Sequence, residues 1–122
     1  MRIAVTSKGT TLEDQVDPRF GRCANFVIVE TDDMTFEAIA NSNASVGGGA
    51  GIQSGQLVAD KGATVVLTGN CGPKAFRTLE AADIEVVIGV SGTIRNAIEQ
   101  YTSGQLSATA SANVESHAGT NP

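Results

Sequence analysis

Two cysteines and one glycine-dense stretch hold most of the chemistry this sequence could perform. Cys23 closes the run Asp17-Pro18-Arg19-Phe20-Gly21-Arg22-Cys23, and Cys71 stands inside Gly69-Asn70-Cys71-Gly72-Pro73. A thiol beside Arg19 and Arg22, or at the start of a helix opened by Pro73, lies where cations or a helix terminus can lower its pKa. Thiolates are soft donors that suit copper(I). A closed zinc site wants four ligands and a C-x-x-C spacing, which this chain lacks. Cys23 and Cys71 are therefore candidate metal ligands that could at most supplement a preformed cluster. The alternative for each is a small packing residue.

The second element is Gly47-Gly48-Gly49-Ala50-Gly51, which holds four of the 14 glycines. A helical run follows it at once. Glycines gathered in this way permit positive φ or close approach of a ligand, and a helix N-terminus behind them offers unpaired N–H groups to an anion. The standard phosphate fingerprints fail here. G-x-G-x-x-G read from Gly47 meets Ile52, and read from Gly49 it meets Ser54; no Gly-Lys-Ser/Thr follows. A plain linker between hairpin and helix is the alternative.

Composition narrows the function classes. A chain of 122 residues makes one domain with its own core. With 4% aromatic residues and no Trp, that core must be built from Val, Ile, Leu and Ala. A net charge of −5 without a basic block argues against duplex nucleic acid or an anionic membrane as partner. Met1 to Thr6 is too short an apolar run for a signal peptide or a membrane span, so the expected compartment is the cytoplasm. In that reducing setting Cys23 and Cys71 are expected to be free thiols. A nucleophile triad would have to recruit His117, the one histidine, from the polar tail. Strands 2–6 and 64–68 carry no acid, which disfavours a two-metal nuclease site.

The elements that must position these residues read in order as strand 2–6, a long loop to Cys23, a hairpin of strands 26–30 and 34–41, and a helix 52–61 closed by Gly62. A strand 64–68, a helix opening at Pro73 and burying Phe76, Leu79 and Ala82, a strand 85–90 and a helix capped by Thr93 follow. That last helix places Ile94, Ala97, Ile98 and Tyr101 on one face. The order β-β-β-α-β-α-β-α predicts a three-layer α/β domain with a five-stranded mixed sheet. Residues 1–106 form the predicted domain, and 107–122, rich in Ala, Ser and Thr, the predicted disordered tail. Loops 69–72 and 91–93 should open at the carboxyl ends of their strands, where open α/β sheets bind ligands.

Three motifs in register then resemble a known family. The run from Asp17 to Cys23, the run from Gly47 to Gly51, and Thr68-Gly69-Asn70-Cys71-Gly72-Pro73-Lys74-Ala75 are followed by the Thr93 helix ending at Gly104-Gln105-Leu106. Together they are similar to the dinitrogenase iron–molybdenum cofactor biosynthesis family over about residues 1–106. The resemblance is nearest to its small stand-alone members, the orange proteins of sulfate-reducing bacteria. It implies a ribonuclease-H-like fold without nuclease activity. It also implies non-covalent binding of a molybdenum–copper sulfide cluster or a related molybdenum or iron–sulfur cluster. Larger relatives carry the iron–molybdenum cofactor and associate a histidine with it; this sequence has none before its tail. A P-loop ATPase is an associated partner class. Under the resemblance Gly47, Gly48, Gly49, Ala50 and Gly51 would cradle the anion, Arg19, Arg22 and Lys74 would neutralise it, and Cys23 and Cys71 would capture metal. Two rival readings are an interaction module and an enzyme with a cysteine nucleophile.

Overall fold

Strand parity sorts the core into two layers. The computed structural model describes residues 1–42 and 49–109. Its strands are β1 (Arg2–Ser7), β2 (Asn25–Glu30), β3 (Phe36–Ala40), β4 (Val65–Leu67) and β5 (Glu85–Val87). Its helices are α1 (Ala50–Asp60), α2 (Pro73–Ala81) and α3 (Ile94–Thr102). Alternate residues of a strand point to opposite faces. Ala4, Phe26, Ile28, Val66 and Val86 accordingly pack with Val58 of α1 and Phe76 and Leu79 of α2. Ile3, Val5, Val27, Val29, Val65, Leu67 and Val87 pack with Ile94, Ala97 and Ile98 of α3. The result is a three-layer domain with α1 and α2 on one face of the sheet and α3 on the other.

The sheet order is β3-β2-β1-β4-β5. β2 pairs antiparallel with both neighbours, whereas β1–β4 and β4–β5 are parallel. This is the mixed five-stranded sheet expected from the order of elements, and β2 alone runs against the other four. Among the described residues no helix is long and apolar enough to cross a membrane.

Several boundaries depart from the sequence reading, among them the start of β3, at Phe36 rather than Met34. α1 begins at Ala50 rather than Ile52, which takes Gly51 out of the loop and into the first helical turn. The cause is close packing on α2: a Cβ at Gly51 would stand 2.9 Å from that of Ala75, and one at Gly55 2.8 Å from Thr78 Cγ2. β5 ends at Val87 because Gly89, at φ +76°, turns the chain so that its N–H reaches the Gly69 carbonyl. α2 stops at Ala81, and Ala82 is exposed rather than buried.

The segment after α3 returns along the free edge of β5. Tyr101 Oη donates to the Glu85 carboxylate at the start of β5 (2.6 Å). Farther on, Thr109 N–H donates to the Val86 carbonyl (2.7 Å) and Thr109 Oγ1 accepts from Ile88 N–H (3.1 Å). The chain from 104 to 109 therefore climbs from the beginning of β5 to its carboxyl end. The rest of the predicted tail, with His117, lies outside the described residues.

Candidate functional site

The carboxyl ends of β1, β3, β4 and β5 share one edge of the sheet, and the loop entering β2 arrives there too. Two seams join the loops at this edge. The first ties the Asp17–Cys23 loop to the turn after β4. Arg19 and Asn70 form a parallel bridge, Phe20 N–H donates to the Asn70 carbonyl (3.1 Å), and Asn70 Nδ2 donates to the Pro18 carbonyl (3.1 Å). Gly69 permits the approach, since a Cβ there would lie 2.7 Å from Pro18 Cα. Beneath the seam Thr6 Oγ1 donates to the Asp17 carbonyl (2.6 Å) and sits 2.9 Å from Thr68 Oγ1. Both hydroxyls are buried, so these bonds hold the loop to β1 and β4 without competition from water.

The second seam joins the same loop to α1. Gly21 has φ +93°, and a Cβ on it would meet Gly51 Cα at 3.0 Å. Asn41, just after β3, donates through Nδ2 to the carbonyls of Gly21 (3.0 Å) and Cys23 (2.9 Å). Gly51 in turn abuts Ala75 in the first turn of α2. The arginine loop, the end of the glycine run and the Cys71–Pro73 turn are thus brought together, as their juxtaposition in one site requires. Gly47 and Gly48 lie outside the described residues.

Beside the first seam lies a cleft of about 320 Å³ lined by Arg19, Phe20, Asn70 and Gly72. That is near the lower end of ligand pockets, about 300–1,000 Å³. Two helices begin at this edge without side-chain caps, α1 after Gly49 and α2 after Gly72. α3 contrasts with both: Thr93 Oγ1 accepts from Asn96 N–H (3.1 Å). The starts of α1 and α2 keep backbone donors and dipole ends that favour negative charge. Of the three predicted cations, Arg19 lines the cleft with its side chain 63% exposed. Arg22 and Lys74 are exposed on the flanking loop and on the first turn of α2, outside that lining.

The thiols behave differently from expectation. Cys23 is 0% and Cys71 1% exposed, and both belong to the core layer that includes Phe20, Ala75 and Phe76. Burial pushes the Cys23 thiol up to about 12, with the negative charge of Asp17 adding to the rise. Burial alone pushes Cys71 up to about 12. The cations near Cys23 and the helix start near Cys71 do not offset desolvation. Neither thiol is in a disulfide, and both are protonated at neutral pH rather than activated. Among the described residues no three His, Cys, Asp or Glu side chains gather as a metal cage.

The sequence reading passed over Asp17, Asn41, Asn70, Thr6 and Thr68, the residues that build the seams. A threonine at the carboxyl end of two otherwise apolar strands was the available signal, together with an asparagine just beyond a strand.

Known proteins are similar to this chain in sequence and fold. Residues 1–104 match the family model described as dinitrogenase iron-molybdenum cofactor. An uncharacterized protein of Methanocaldococcus jannaschii is 30% identical over 96 residues, covering 76% of this chain and 81% of that protein. The apo form of the orange protein from Desulfovibrio gigas superposes with a TM-score of 0.90 at 44% identity, covering 92% of this chain and 95% of that one. A Thermotoga protein of the DUF35 family, solved by NMR, gives 0.77 at 33% identity over 88% and 91% of the two chains. The chain belongs to the dinitrogenase iron-molybdenum cofactor family.

Proposed function

We propose that this chain carries an anionic, molybdenum-containing metal–sulfur cluster, of the molybdenum–copper sulfide type, held non-covalently at the cleft. The observation that carries the reading is a small cavity lined by Arg19 and by Gly72 at the uncapped start of α2, with the uncapped start of α1 packed nearby through Gly51 against Gly21 and Ala75. A cluster that brings its own sulfides needs no cage of protein ligands. It needs N–H donors for its sulfurs and positive charge at its rim, and both are available here. Backbone amides of Gly49, Ala50 and Gly51, with those of Gly47 and Gly48 outside the described residues, supply the donors. Arg19, paired with Asp17, supplies directed N–H donors at the cleft, and Arg22 and Lys74 supply positive charge from its flanks.

Cys23 and Cys71 are not standing ligands in this reading. Capture of copper(I) by either requires the thiol to be uncovered and deprotonated, which makes it a transient step. Thiols held at about 12 also speak against a cysteine nucleophile, so the role is carriage and not catalysis. The reducing cytoplasm, where both thiols stay reduced, is the matching compartment. The rival role, a docking module for a P-loop ATPase, is less well served by a small concave site beside a cation than a compact anion is. Carriage of an iron–molybdenum cofactor precursor would use the same cleft.

Anaerobic mixing with tetrathiomolybdate and copper(I), followed by gel filtration, tests the proposal. The expected result is a visible chromophore that elutes with the protein, with both metals present in that fraction. Arg19→Gln should lower retention about tenfold, the value of one lost charge-assisted hydrogen bond. A colourless protein peak, under conditions where a known cluster-binding control stays coloured, would remove the proposal.

A further inference from the structure

Among the described residues Asp17 is the one buried carboxylate at this edge. Its side chain is 3% exposed, yet its partner Arg19 reaches well into solvent. Three donors of that single residue converge on it. Arg19 N–H (3.1 Å) and Nε–H (3.2 Å) donate to Oδ1, and Nη2 donates to Oδ2 (3.3 Å). The pairing favours the charged guanidinium and raises its pKa further. Thr6 holds the Asp17 backbone from below, accepting from its N–H (2.9 Å) and donating to its carbonyl (2.6 Å).

A guanidinium has five N–H donors. Nε and one hydrogen of Nη2 are spent on Asp17, and three hydrogens remain. The pair therefore offers directed donors to the cleft with little net positive charge, and it sets a negative carboxylate close behind them. A compact oxyanion loses heavily in such a site. Its charge is concentrated, its hydration is strong, and it needs an uncompensated cation to offset both. A sulfur-rich anion of larger radius has its charge spread more widely and is less strongly hydrated, so it gives up less on entry and feels less repulsion from Asp17.

We infer that Asp17 sets the anion preference of the cleft: by half-neutralising and orienting Arg19 it selects large, diffuse sulfur-rich anions over small hard oxyanions. The inference rests on the carrier reading for its sulfur-rich arm, while its oxyanion arm stands without it. Asp17→Asn keeps an Oδ1 acceptor for the turn and removes the charge. Calorimetric titration with molybdate, in the absence of any sulfide, should then show affinity rising about tenfold, the effect of one nearby charge in a partly screened site. Tetrathiomolybdate should gain much less, so the ratio between the two anions narrows by about the same factor. Adding Arg19→Gln to Asp17→Asn should erase the gain. A variant that binds molybdate no better than the wild type, or weakens for both anions alike, would overturn the inference and reduce Asp17 to a scaffold residue.

Should the wild type bind no tetrathiomolybdate, the carrier reading fails while the molybdate arm still decides the role of Asp17. Nitrogen-15 NMR of the wild type covers the case in which Asp17→Asn does not fold. The Arg19 Nε–H signal should be sharp and slow to exchange, and a signal in fast exchange with water would equally overturn the pairing on which the inference depends.

Discussion

Gly21→Ala is expected to be the most destabilising of the glycine substitutions around the cleft. Gly21 sits at φ +93°, a conformation L side chains rarely adopt, and its added Cβ would meet Gly51 Cα at 3.0 Å and Gly51 N at 3.2 Å. Those atoms are helical backbone at the start of α1, so they cannot rotate aside as a side chain would. Strained φ costs about 1–2 kcal/mol and overpacking about 1–3 kcal/mol, which together predict a loss of roughly 2–4 kcal/mol. Against a typical total of about 5–15 kcal/mol this is a large fraction. Urea denaturation measures it directly. Gly89→Ala isolates the first term, because Gly89 has φ +76° and among the described residues nothing lies within 4 Å of an added Cβ. It should cost about 1–2 kcal/mol. Equal losses at the two positions would mean that the Gly21–Gly51 contact is not a tight seam.

Gly49→Asp should do the opposite: leave the fold intact and empty the site. Gly49 has φ −91° and ψ −1°, ordinary for any residue, and among the described residues the nearest atom to an added Cβ is Gln53 Nε2 at 3.8 Å. A carboxylate there faces the uncapped start of α1, where negative charge is favourable by about 0.3–1 kcal/mol. Thermal stability should stay level or rise slightly. Anion retention should fall at least about tenfold, because the new carboxylate competes for the amides and repels the ligand. Gly49→Ala, which fits without adding charge, should bind within about threefold of wild type if amide access rather than loop flexibility matters. Loss of binding in both variants would point to the shape of the glycine run instead.

The architecture was legible because the apolar runs are short, continuous and punctuated. The runs 64–68 and 85–90 read as parallel strands, and their shorter cores Val65–Leu67 and Glu85–Val87 are. Thr93 announced the start of α3 through the usual chemistry of a cap. The placement of the 69–72 turn at the carboxyl end of its strand followed from topology alone. Two features were hidden for physical reasons. Glycine serves open backbone and close helix packing alike, so Gly51 read as loop although it lies in α1 against Ala75. The spacing from Gly51 to Gly55, one helical turn, was the signal for the packing role. The thiols were misread because near neighbours in sequence show cations but not burial. Cys23 follows two arginines, yet its side chain turns into the core beside Phe20 and Phe26. Desolvation then outweighs the charges.

Amide mapping under anaerobic titration with tetrathiomolybdate and copper(I) tests most directly whether this cleft holds the cluster. Nitrogen-15 spectra should show the largest shifts at Arg19, Gly49, Ala50, Gly51, Asn70, Gly72 and Lys74, which surround the cavity or begin α1 and α2. Arg2, Ile28, Glu30 and Phe36, which line a separate depression at the opposite end of the sheet, should stay still. Shifts centred on that far depression, or none on saturation, would contradict the assignment of the site.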